Sequence, residues 1–230
     1  MLVSDNVSMG RKNISQEKII QSFLSSAFEK GAGATSLTDI VENLEIKKAS
    51  LYNHFESRDA IYEATIELCS KEIGSISFIA DRVIDSIKNG KVNVIPLFKR
   101  LITRFFNLYE CEPLFNMYVF IRSEQYFNFD VLKIIRAENE KITDDIRKIL
   151  QSFMDVKKID DCSEKELKEK AGVISSIIIQ QRDYYIANRK EVVRQNPESG
   201  AGTLFALPTD EEALEIAIKL VENYLKTISK

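Results

Sequence analysis

The sequence predicts an all-α protein with a small N-terminal helical domain and a larger C-terminal one. Three observations predict it. Helix breakers are scarce, with 8 Gly and 4 Pro in 230 residues, so long stretches can stay helical. Apolar residues recur at i, i+3, i+4 and i+7 along most of the chain, and no alternating strand pattern competes with them. Residues 37–55, LTDIVENLEIKKASLYNHF, read as two short helices joined by a tight turn.

Residues 1–13 are polar and without pattern, a basic arm ending in Arg11-Lys12. Ser15 to Lys30 carries Ile19, Ile20, Phe23, Leu24, Ala27 and Phe28 on one stripe. Ser15 is its expected N-cap and Gly31 its C-terminal stop. Ser36-Leu37-Thr38-Asp39 reads as a capping box with Asp in place of Glu. Leu37, Ile40, Val41 and Leu44 then form the buried face of a second helix. Glu45 to Lys47 is the turn, and Lys48 to His54 the third helix, with Leu51 and Phe55 facing inward. Ser57 caps a fourth helix from Arg58 to about Lys71. Further helices are expected over Glu72–Lys88, Val94–Tyr109, Pro113–Tyr126, Val131–Met154, Glu164–Lys190 and Asp210–Ile228. The stretch 196–208, with two Gly and two Pro, is the one long loop. These signals divide the chain into the arm (1–13), a helix-turn-helix domain (14–60) and a helical domain (61–230).

An ordinary surface helix carries one apolar stripe. Glu164–Lys190 has Leu167, Ala171, Ile174, Ile178 and Tyr185, and beside them Val173, Ile177 and Ile179. Asp210–Ile228 has Leu214, Ala217, Val221, Leu225 and Ile228, plus Ile216, Leu220 and Tyr224. Helices of this kind are buried from two sides. A second copy of the chain is the simplest cover for the second side, so a homodimer through Glu164–Lys190 and Asp210–Ile228 is expected.

Composition narrows the function classes. The net charge of -3 confines any nucleic-acid contact to a locally basic patch. The three cysteines, Cys69, Cys111 and Cys162, are odd in number and far apart, and His54 is the single histidine. A structural zinc site needs about four N/S ligands, so no metal and no cofactor are expected. A Ser-His-Asp or Cys-His site would have to use His54, inside the helix-turn-helix, and no glycine-rich phosphate loop occurs; an enzyme is not expected. No signal pattern opens the chain, and the longest apolar runs fall short of the ~20 residues of a membrane span. The expected location is the cytoplasm.

A short helix entering the major groove needs donors near its start and small residues for close approach. Lys47, Lys48, Ala49 and Ser50 meet that need, with Tyr52, Asn53 and His54 further along. Thr38 and Arg58 open the neighbouring helices, where free N–H groups favour a phosphate. Arg11 and Lys12 can reach the minor groove.

Residues 12–66 carry an ordered series: Phe28-Glu29-Lys30-Gly31, Ala34 to Ile40, Ala49-Ser50-Leu51-Tyr52-Asn53-His54-Phe55, and Ser57-Arg58-Asp59-Ala60-Ile61. In this series the chain resembles the tetracycline-repressor (TetR) family of bacterial transcription factors. The resemblance implies a C-terminal helical ligand-binding domain and a homodimer built on the last two helices. It implies a repressor of a palindromic DNA operator, released by a small molecule. Two positions depart from the family pattern. Glu45 stands where the turn usually has Gly, and Lys47 where the recognition helix is often capped by Ser or Thr. A co-activator or adaptor acting through a protein partner is the alternative function on the same fold.

Ten of the 21 aromatic residues fall between Phe98 and Phe129, which concentrates the search for a ligand pocket there. An apolar or aromatic effector is expected, held by Phe105, Tyr109 and Tyr118, with Arg122 and Gln180 as placed polar groups. Arg104 is a further polar candidate.

Overall fold

In a computed structural model the chain divides after Thr65 into two compact units. Residues 14–195 and 209–229 are described; the basic arm with Arg11 and Lys12, and the 196–208 loop, lie outside the described residues. The elements are all helical: α1 (Gln16–Lys30), a 3-10 turn (Ala32–Ala34), α2 (Leu37–Leu44), α3 (Lys48–Tyr52), α4 (Arg58–Ser75), α5 (Val83–Lys88), α6 (Val94–Leu108), α7 (Leu114–Glu124), α8 (Phe129–Asp155), α9 (Glu164–Gln195) and α10 (Glu211–Lys226). None of the described helices is long and apolar enough to cross a membrane.

The N-terminal unit closes on Ile19, Phe23, Leu24, Ile40, Leu51 and Ile61, all buried. Its helix ends are set by local chemistry. The Ser15 hydroxyl accepts from the Lys18 amide at 3.3 Å. Ser36 and Asp39 form a reciprocal capping box at the start of α2. The Asp39 carboxylate accepts the Ser36 amide at 2.7 Å, and the Ser36 hydroxyl accepts the Asp39 amide at 3.3 Å. The Lys30 ammonium and the Ser36 donors together hold the Asp39 carboxyl at about 2, below its usual 3.8. Ser57 accepts the Ala60 amide at 3.0 Å.

The C-terminal unit is a helical bundle in which α9 packs against both α8 and α10, and α10 also against α6. Its start differs from the expected helix over Glu72–Lys88. The chain leaves the helix after Ser75 and re-enters at Val83, with Arg82 left-handed at φ 60°. The cause is distant in sequence. The buried carboxylate of Asp145 on α8 accepts from the Ser77 hydroxyl at 2.7 Å and the Phe78 amide at 3.1 Å. That bond diverts an amide from the helical ladder, and Phe78 goes into the core, 1% exposed. Backbone donors turned toward a buried acceptor satisfy both partners.

Candidate functional site

The turn between α2 and α3 shows how the unusual Glu45 is accommodated. Its backbone is left-handed, φ 53° and ψ 47°, a conformation costing a non-glycine residue on the order of 1 kcal/mol. The α2 carbonyls are nonetheless closed as in a Schellman motif. The Glu45 amide donates to Glu42 O at 3.1 Å, and the Ile46 amide to Val41 O at 3.0 Å. Lys47 then stands at the N-cap of α3 in extended conformation and makes no side-chain capping bond.

On α3, Leu51 is fully buried and anchors the helix, with Phe55 just beyond it also buried. The opposite side is open: Lys47, Lys48, Ala49, Tyr52 and Asn53 are exposed. Ser50 and His54 are half-buried at the edges of that side, and Thr38 is exposed on the first turn of α2. The His54 carbonyl accepts from the Gln16 side chain at 3.1 Å, which ties the end of α3 to α1. Tyr52 stays 50% exposed.

Arg58 is placed differently from the other predicted contacts. Its Nε donates to Thr35 O at 2.9 Å and its Nη2 to Ala32 O. The guanidinium also lies over the Phe23 ring at 5.6 Å and the Tyr62 ring at 5.9 Å. Its donors point at the backbone of the 3-10 turn, so it fixes the start of α4 against α1.

The aromatic cluster does not form the expected pocket. Phe98, Phe105, Phe106, Tyr109, Phe115, Tyr118 and Phe120 are buried, whereas Tyr126, Phe127 and Phe129 are exposed. The centre that an effector was expected to fill is taken by Arg182, which is 0% exposed. Its guanidinium lies over the Tyr118, Tyr109 and Phe105 rings at 4.4, 4.9 and 5.3 Å. It donates to both Glu138 carboxylate oxygens, at 2.8 and 3.2 Å, and to the Tyr109 and Tyr118 hydroxyls. Burial pushes both phenols up, and Glu138 adds to the effect. Burial alone would lower the Arg182 pKa, but Glu138 and the two tyrosines hold it above its usual value. Arg104 is likewise structural, donating to Ser77 O at 3.0 Å.

Phe105, Tyr109 and Tyr118 are therefore core. Arg122 and Gln180 instead line a cavity of about 930 Å³ along α8 and α9, with Asn139, Glu140, Asp144, Arg147, Lys168 and Asp183 among its walls. Arg122 pairs there with Asp183, which also accepts from the Tyr118 hydroxyl at 2.8 Å. The sequence did carry a signal for the buried pair. Arg182 interrupts the Leu167–Ala171–Ile174–Ile178–Tyr185 stripe, and Glu138 interrupts Val131–Ile135–Ile142. Opposite charges on two otherwise apolar stripes point to a shared buried pair.

Known proteins match this arrangement. Residues 24–65 fit the family model described as bacterial regulatory proteins, tetR family. The N-terminal unit is thus similar to the DNA-binding unit of that family. The biofilm operon icaADBC HTH-type negative transcriptional regulator IcaR of Staphylococcus aureus (strain Newman) is 41% identical over 61 residues, 26% of this chain and 33% of that protein. IcaR of Staphylococcus epidermidis is 41% identical over 54 residues, 24% of this chain and 29% of that protein. The chain thus spans about a third of the length of these relatives. Over the whole chain the fold is TetR-like. A TetR transcription regulator from Haloarcula marismortui ATCC 43049 superposes with a TM-score of 0.58 at 14% identity, covering 94% of this chain and 98% of that one. Reduced E. coli NemR gives 0.55 at 14% identity, covering 91% and 96%.

Proposed function

We propose that this TetR-family chain is a homodimeric repressor of transcription that binds a palindromic DNA operator and is released by a small molecule. The observation that carries it is the open side of α3. Two lysines, a small residue, an exposed tyrosine and an asparagine stand on a short helix whose other side is locked by Leu51. Such a set supplies phosphate contacts and base-edge donors in a major groove. In this reading Lys47, Lys48, Ser50, Tyr52, Asn53 and His54 contact DNA, Thr38 takes a flanking phosphate, and Arg11 and Lys12 reach along the minor groove. Arg58 acts by positioning α4 rather than by touching DNA. Repression is the sense because the matched relatives are negative transcriptional regulators.

Two half-sites are read when two copies hold their α3 helices about 34–36 Å apart. Exposed Val173 on α9, and Ile216 and Leu220 on α10, support pairing through these helices, since apolar patches of this kind mark interfaces. Leu220→Glu is expected to yield monomers in light scattering after gel filtration. The test of the DNA contacts is a gel shift on the region upstream of the gene itself. Lys48→Ala and Tyr52→Ala should weaken binding with unchanged thermal melting, and Lys48→Ala should lower the salt slope by about 1. Undiminished binding by both variants would remove the assignment.

A further inference from the structure

The cavity along α8 and α9 has a chemistry of its own. Thr143 Oγ1 donates to Ser175 Oγ at 2.8 Å, and Glu138 pairs with Arg182. These two contacts set the helices antiparallel and in register. Asn139 and Glu140 therefore stand level with Ile179 and Gln180. Lys168 lies about 17 Å away along α9, at roughly 1.5 Å per residue.

The charged walls are partly self-neutralised. Arg122 pairs with Asp183, and Arg147 with Asp144 at 3.4 Å. Among the described residues, Glu140 and Lys168 have no ion-pair partner, and the buried Asn139 Oδ1 has no donor. Along the cavity the Glu140 carboxylate and the Lys168 ammonium thus stand apart as two open charges of opposite sign. An apolar molecule would strip water from both charges.

We propose that this cavity binds a short zwitterionic chain of peptide size. Its ammonium end pairs with the Glu140 carboxylate, and its acid end with Lys168. An extended tripeptide spans about 10 Å, and the glutamate and lysine side chains cover the rest of the distance. The proposal names the effector class for the regulator described above and rests on that function, but binding is measured without DNA.

The test is calorimetry on the full chain at neutral pH with triglycine, N-acetyl-triglycine and triglycine amide. Triglycine should bind saturably, and blocking either end should weaken binding about tenfold or more. Glu140→Gln should abolish the preference for the free amine over its acetylated form. Lys168→Gln should abolish the preference for the free acid over the amide. Both side chains are exposed, and unchanged thermal melts confirm that the variants fold. No saturable binding at low-millimolar triglycine overturns the proposal, as does binding indifferent to end-blocking or to both substitutions. Gel shifts with and without triglycine separate the two claims. Operator binding without any triglycine binding refutes the cavity and keeps the repressor; triglycine binding without operator binding does the reverse.

Discussion

Arg182 offers the sharpest test of how the C-terminal unit is built. Replacing it with Met removes four hydrogen bonds, two to Glu138 and one to each of Tyr109 and Tyr118. It leaves the Glu138 carboxylate, 6% exposed, with the Tyr109 hydroxyl as donor at 2.8 Å. Breaking a buried pair from one side costs about 3–5 kcal/mol, because the other charge stays desolvated. For a unit of this size, roughly 2–4 °C of melting temperature per kcal/mol puts the loss at about 6–20 °C. Removing the second charge should restore much of it. In Arg182→Met with Glu138→Leu neither charge of the pair remains, and Tyr118 keeps its bond to Asp183 at 2.8 Å. The Tyr109 hydroxyl is then orphaned, at about 1–3 kcal/mol. Adding Tyr109→Phe should bring stability to within about 1 kcal/mol of the parent, since well-packed apolar replacements of buried pairs are neutral or better. Urea unfolding followed by circular dichroism measures all three variants. A single variant costing under about 1 kcal/mol, or a double as unstable as the single, would refute a self-filled core organised by one ion pair.

Three further outcomes are expected. Asp145→Ala should cost about 2–3 kcal/mol by orphaning the donors of Ser77 and Phe78, and amide exchange at Phe78 should speed up; unchanged exchange would discount the clamp. The Asp39 carboxyl is depressed, so what its cap contributes to stability is present above 3.8 and lost as pH falls from there through about 2. An NMR titration should find its midpoint near 2, rising in Lys30→Gln, and a midpoint near 3.8 in the parent would contradict the contacts. Burial, aided by Glu72, pushes the Cys69 thiol up to about 12. A thiol-reactive probe at pH 8 should therefore label exposed Cys111 in the native protein and Cys69 only on unfolding.

The N-terminal unit was legible because its signals are local. Caps at Ser15, Ser36 and Ser57 lie three residues from the amides they bind, and the apolar steps that bury Ile40 and Leu51 lie within a turn or two. Even its departures behave as local chemistry: Glu45 takes the left-handed turn and Lys47 leaves α3 without a side-chain cap. The C-terminal unit was legible only as helices. Its aromatic residues predicted a pocket, but their hydroxyls and ring faces surround Arg182 instead.

The amino-acid sequence by itself determined an all-α chain, its TetR-type helix-turn-helix and which helices carry two apolar stripes, because periodicity and capping act over a few residues. Tertiary structure alone decided the break after Ser75, the set of groups that Arg182 and Glu138 meet, and the polar character of the cavity. Each depends on groups far apart in the chain, such as Phe78 and Asp145 at 67 positions and Glu138 and Arg182 at 44. Whether a charge is desolvated, and by whom it is met, is settled only when distant helices pack.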